Sequence, residues 1–320
     1  AQVELGALLV NRGEFTEAQT LFTAALDAYQ KTLGENHEYV IIVWRHLIKL
    51  PQTTGNVAEK QSALEHLLSV QEQLFGVEQP QVATTLNSLG FLLQSQGKFE
   101  SALPFYKRAL AIRQKVFDPG HVDIALSANN LGFLLGDMQR FEEALIYSKL
   151  AAADVDSWMA SNPEGARGHV LNLGFAHLQL GQTKQAIPHF RKTVAILETM
   201  LDENTPAFIQ ELTYLGETLQ GFGGDEFSIE LFTRAGEIGK RIYGSDNINI
   251  APLLNSLGNA CNELEKYDLA EASLKDALAI NIQHYGQNHL EVAATLGNLA
   301  LVYEDQREFQ LARPLLERSL

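Results

Sequence analysis

Apolar residues in this chain recur with the spacing of amphipathic helices, and the helices themselves recur every 42 residues. Leu86, Leu89, Gly90 and Leu93 stand at i, i+3, i+4 and i+7, which lays one apolar stripe along a first helix. A QGKF turn follows. A second helix, predicted from about Ser101 to Phe117, carries Leu103, Tyr106, Ala109, Leu110 and Ile112. With Gly97 as the anchor, the pattern returns at Gly13, Gly55, Gln139, Gly181, Gly223, Glu265 and Arg307 without insertion or deletion. Five residues after the anchor a small residue stands in seven of eight repeats, Lys60 being the exception, and eight before it there is always leucine. The next residue is glycine except at Ile48 and Ala300. Small residues let helix backbones approach, and neither helix can bury its stripe alone, so neighbouring repeats must share a core.

Leu89-Gly90, Leu93, Ala102 and Tyr106 resemble the tetratricopeptide repeat. The period, the connecting segments LGENHEYV, FGVEQPQVA, FDPGHVDIA and YGQNHLEVA, and the phrase ESALPFYKRALAI are similar to its kinesin-light-chain subtype. The resemblance covers the whole chain. It implies an all-α, right-handed α-solenoid of about eight helix-turn-helix units, a single array over 1–320, with one side of each first helix lining a concave groove.

The pattern breaks in three places. Pro51 stands where an aromatic residue or leucine is expected, so the first helix of repeat two should end near Lys49. SWMASNPEGARG replaces the usual helix start before repeat five, and GFGGDEF, Gly236 and Gly239 interrupt repeat six. Each of these two glycines should cost about 0.5–1 kcal/mol against alanine, and softer joints are expected near 160–168 and 221–240. Pro104, Pro188 and Pro314 share one register near the start of a second helix, where a missing amide donor matters least.

Composition narrows the chemistry. The chain is 46% hydrophobic and 20% charged, with a formal net charge of −15 and no basic run, so phosphate-backbone binding is not expected. One cysteine, Cys261, excludes an internal disulfide and a cysteine zinc cluster. No apolar stretch approaches the ~18 residues of a membrane span. The chain starts and stops inside helical patterns, which reads as part of a longer protein. His37, His121 and His289 share a register just before a first helix, too far apart to hold one ion and placed for a helix-start role. No nucleotide-binding or hydrolase motif is present, and no cofactor or metal is expected.

One face of the first helices carries unusual residues. On a wheel with Leu131 at 0°, the buried stripe centres near ~50°, whereas Asn129, Phe133 and Asn130 fall at about 160°, 200° and 260°. Asn87, Asn172, Asn255 and Asn298 repeat the amides in other repeats, Phe91 and Phe175 repeat the phenylalanine, and Arg45 and Lys49 place cations in repeat two. An asparagine offers an acceptor and two donors, so it can pair with the C=O and N–H of an extended peptide. The resemblance implies that asparagines on this face grip peptides. The same asparagines could instead bond neighbouring helices, and the phenylalanines could pad adjacent ones. Arg45, His46 and Lys49 against Glu217, Glu263, Glu304 and Asp305 would suit a ligand acidic at one end and basic at the other. The expected function is therefore non-enzymatic capture of a peptide or protein segment, as a cytoplasmic adaptor or scaffold. A sensor array of a larger signalling protein remains open, as does a structural array self-associating through terminal repeats at Leu315, Leu316 and Leu320.

Overall fold

The computed structural model describes residues 1–35, 37–50, 57–223 and 226–320. Pro51 and Gly55, and Gly224 and Asp225 of the GFGGDEF turn, lie outside the described residues. Among those described, every regular element is helical. The chain divides into two compact units, Ala1–Ser161 and Asn162–Leu320.

In the first unit the helices are α1 (Gln2–Arg12), α2 (Phe15–Leu33), α3 (Glu38–Lys49), α4 (Val57–Phe75), α5 (Pro80–Ser95), α6 (Phe99–Val116), α7 (Val122–Asp137), α8 (Phe141–Ala152) and the short α9 (Val155–Trp158). The second unit holds α10 (Pro163–Gln179), α11 (Thr183–Met200), α12 (Pro206–Gln220), α13 (Glu226–Tyr243), a 3-10 turn Ile248–Ile250, α14 (Ala251–Glu263), α15 (Tyr267–Tyr285), α16 (Leu290–Asp305) and α17 (Phe309–Ser319). Each repeat is one first helix packed on one second helix, and within each unit the second helix packs on the next first helix. The end of α3 at Lys49 falls where the sequence places it.

The anchor residue has a structural task. It adopts a left-handed conformation in every described repeat, with φ of 71° at Gly97 and 68° at Gly181, and of 60°, 56° and 62° at Gln139, Glu265 and Arg307. The following amide then bonds back across the turn, as Lys98 N–H does to the Leu93 carbonyl at 3.0 Å and Arg140 N–H to Leu135 at 2.9 Å. The second helix starts two residues after the anchor, at Phe99, Phe141 or Thr183, earlier than the stripe alone suggests. Pro104, Pro188 and Pro314 consequently sit one turn inside their helices rather than in the first turn. At the other end, His37, His121 and His289 cap first helices, their Nδ1 atoms accepting from the amides of Tyr39, Asp123 and Glu291 at 3.2, 3.1 and 3.2 Å.

The Leu-Gly pair is explained by rings. Phe22, Tyr106, Phe190 and Phe232 occupy one register of the second helices and are fully buried. They press on Gly6, Gly90, Gly174 and Gly216, where a methyl group would stand 2.6, 2.9, 3.1 and 2.8 Å from ring carbons. Around these contacts the cores form, with Leu93, Ala102, Leu131 and Leu135 in one unit and Phe208, Leu212, Leu215 and Leu231 in the other. Each fully buried side chain of this size contributes about 1.5–3 kcal/mol. The two glycines of α13 differ: nothing approaches the position of a methyl at Gly236, whereas one at Gly239 would meet Ile250 Cδ1 at 2.9 Å. Alanine is therefore the better residue only at Gly236, because Gly239 is a close-packing site.

Candidate peptide groove

Within the first unit, α3, α5 and α7 bring forward the side opposite their leucine stripes. Phe91 and Phe133 stand 63% and 55% exposed, one repeat apart, beside the half-buried Asn129 and Asn130. Arg45 and Lys49 are exposed at the mouth of a cleft of about 430 Å³, whose buried lining includes Gln71, Thr85 and Arg113. Burial, and then the charge of Lys49, lowers the pKa of His46 in the same turn. In the second unit Asn172 and Asn298 are half-buried. Phe175 is placed unlike its two counterparts. It is half-buried and meets the Phe190 ring edge-on, with centroids 5.8 Å apart.

Asn87 and Asn255 serve the stack more than the sequence suggests. Asn87 is only 8% exposed, and its Nδ2 donates to Ser127 Oγ of the next first helix at 3.0 Å. Four repeats on, Asn255 Nδ2 donates to Thr295 Oγ1 at 3.1 Å. Each hydroxyl is also approached from the intervening second helix. Arg113 Nη1 donates to Ser127 at 2.9 Å and Asn281 Nδ2 donates to Thr295 at 3.0 Å. Thr295 Oγ1 itself donates to the Glu291 carbonyl at 2.9 Å, so it can only accept from both asparagines. This fixes the amide of Asn255 and leaves its Oδ1, like that of Asn87, buried without a hydrogen bond among the described residues. The expectation that these two present both donor and acceptor to a ligand is thereby corrected: their donors already join one repeat to the next.

A second bridge runs parallel to the first. Gln94 Nε2 donates to Asp137 Oδ2 at 2.7 Å, and Asn262 Nδ2 donates to Asp305 Oδ2 at 2.7 Å, so Asp305 is engaged within its unit. Arg113 is a buried ion of the first unit. It is 3% exposed, donates to the Asp123 carbonyl at 3.0 Å and pairs with Asp123 Oδ1 at 3.4 Å. Burial lowers its pKa and Asp123 opposes that shift. Gln71, Arg113 and Asn281 were missed from the sequence. Their signal is a polar residue in a second-helix register that holds Val155, Leu197 and Gly239 elsewhere.

Among the described residues no group of three or more His, Cys, Asp or Glu side chains is placed to hold a metal ion, and no helix is long and apolar enough to cross a membrane. Cys261 lies in the core, where burial raises its thiol pKa.

Comparison with known proteins supports the same architecture. A family profile described as tetratricopeptide repeat matches residues 52–115, 81–153, 209–283 and 253–320, and a second with that description matches 1–39 and 171–207. The clustered mitochondria protein homologs of Homo sapiens and Danio rerio are each 30% identical, over 138 and 133 residues. Those stretches cover 42% of this chain and 10% of each relative, so the chain spans about a tenth of the length of the curated relatives it matches. The apo form of RapI is similar in structure, with a TM-score of 0.55 at 13% identity, covering 99% of this chain and 94% of that one. Kinesin-light-chain TPR-like repeats from Podosopora anserina are also similar, with a TM-score of 0.40 at 17% identity, covering 75% and 94%. The left-handed turn in every described repeat, the ring on four of the Leu-Gly pairs and profiles that match most of the chain together make it a member of the tetratricopeptide repeat family.

Proposed function

We propose that this chain is a protein-interaction module that holds an extended peptide segment along the exposed side of its first helices, in an adaptor or scaffold role in the cytoplasm. The observation that carries this reading is the pair Phe91 and Phe133, two large rings more than half exposed in equivalent positions of adjacent helices. A folded domain rarely leaves such rings in a row without a use, and beside them lie amides that suit a peptide backbone. Asn129 and Asn130 hold the backbone, and the two rings cover side chains between them. Asn172 and Asn298 do the same work in the second unit, while Asn87 and Asn255, their donors engaged and their Oδ1 atoms buried, serve the stack. Arg45 and Lys49 receive acidic residues of the segment, because Asp123 answers the Arg113 charge and leaves two exposed cations at the cleft mouth. The work is non-covalent.

A peptide-array capture comparing the wild type with Asn129→Ala plus Asn130→Ala, and with Phe91→Ala plus Phe133→Ala, tests this reading. Each pair should weaken capture by about tenfold while helicity is kept. Unchanged capture with preserved helicity removes it. Arg45→Glu plus Lys49→Glu should select against acidic peptides in the same screen.

A further inference from the structure

The cleft between repeats two and three has a counterpart four repeats on, in the second unit, and the chemistry of the two is opposite. The second cleft, of about 350 Å³, lies at α12 and the start of α14 and is lined by Ile209, Thr213, Tyr214, Glu217, Tyr243 and Leu253 among others. Register by register, Glu217 stands where Lys49 stands in the first unit, Thr213 where Arg45 stands and Tyr214 where His46 stands. The inner wall changes in the same sense. The Gln71–Thr85 hydrogen bond of the first unit, 2.7 Å long, is replaced by Gly239 and Leu253, so an apolar surface underlies an acidic rim.

We infer that this cleft binds one basic side chain, a lysine or arginine, of the captured segment. The inference rests on the peptide-binding reading above. Glu217 is the only charged residue among those lining the cleft, it is exposed, and no cation pairs with it among the described residues. An acidic group is repelled there, and a wholly apolar group would strip water from the carboxylate without replacing it. A lysine or arginine satisfies both parts of the site. Its methylene stem lies on Ile209 and Leu253, and its charge reaches Glu217 at the rim. Tyr214, 48% exposed, and Tyr243 add aromatic surface that favours a cation over a neutral group of the same length.

The test uses an acetylated, amidated pentapeptide of alanines with one central arginine, and the same peptide with norleucine in its place. Binding is followed by NMR on protein labelled only in its tyrosine rings, of which the chain has nine, few enough to resolve and assign. The arginine peptide should shift Tyr214 and Tyr243 saturably and bind at least about threefold more tightly than the norleucine peptide. Glu217→Gln should weaken it by about two- to fivefold, and Glu237→Gln, the same charge change at an exposed site on α13 outside the cleft, should not. Equal binding of the two peptides overturns the inference. So does an absence of shifts at Tyr214 and Tyr243, or an equal loss in both glutamine variants, which would mark general attraction to a chain of net charge −15. If the Asn129, Asn130, Phe91 and Phe133 variants leave peptide capture unchanged while arginine still depends on Glu217, the groove reading fails and this subsite stands. Peptide capture indifferent to Glu217 and to arginine has the reverse meaning.

Discussion

Repeat six offers a direct measure of what its glycines do, because Gly216 and Gly236 are both helical but face different surroundings. Gly236 lies inside α13, and nothing stands within 4 Å of where a methyl would be. Gly236→Ala therefore gains helix propensity alone, and should stabilise the chain by about 0.5–1 kcal/mol. Gly216 lies inside α12, where a methyl would stand 2.8 Å from two carbons of the Phe232 ring. That ring is fully buried and cannot turn aside, so overpacking of about 1–3 kcal/mol opposes a propensity gain of about 1. Gly216→Ala should accordingly lose about 1 kcal/mol, leaving a gap of roughly 2 kcal/mol between the two variants. Gly239→Ala should fall between them, since the atoms it meets are the ends of the Ile250 and Leu253 side chains. Urea unfolding measures the midpoints, and amide exchange in α12 and α13 separates a local loss from a global one, which matters where repeats unfold separately. Gly216→Ala as stable as Gly236→Ala would refute the claim that the ring requires the glycine.

At the anchors, Gln139→Gly should stabilise by about 1 kcal/mol because it relieves a left-handed non-glycine, and Gly97→Ala should destabilise by a similar amount without any clash; thermal unfolding reads both. Arg113→Ala should cost about 1–3 kcal/mol by removing the buried hydrogen bonds to Ser127 and the Asp123 carbonyl, and Arg113→Asn, copying Asn281, should cost clearly less in urea unfolding. Burial, and then the nearby Asp137, raises the pKa of Tyr106 above the ordinary phenol range. A neutral phenol favoured by the folded state gives stability that is full below the unfolded value of about 10 and lost as pH rises from there through the folded pKa. Midpoints measured across that range should fall less steeply in Tyr106→Phe. Amide exchange across 160–168 and 221–240 should be faster than in α6 or α15, and uniform protection would remove the idea of softer joints.

Much of the fold is legible in the sequence because its period has no insertions, so a residue seen once can be recognised in every repeat. The helix pairs and the helix-start role of His37, His121 and His289 follow from register, and the end of α3 at Lys49 from the proline two residues on. The second-helix starts do not, since the left-handed anchor rather than the apolar stripe sets them. The candidate site is less legible. A helical wheel gives the direction of Asn87 but not what the next repeat extends toward it, and Ser127 lies 40 residues away in sequence. Phe91, Phe133 and Phe175 look alike on the wheel, yet Phe175 meets the Phe190 ring. Gly236 and Gly239 look equally wasteful until the side chains of Ile250 and Leu253 are in place.

The bridge from Asn87 to Ser127, and its copy from Asn255 to Thr295, bears on how such a chain can be recombined. The amide of one repeat is oriented by a hydroxyl in the repeat that follows, and that hydroxyl is held by Arg113 or Asn281 between them. A 42-residue segment cut at the left-handed turns leaves behind the partner that gives its asparagine an orientation. Placed before a repeat with Leu253 in that register, the same asparagine would regain a free donor and offer a different surface. Transplanting binding specificity from this chain therefore requires segments that run from one first helix through the next, so that each asparagine travels with its hydroxyl.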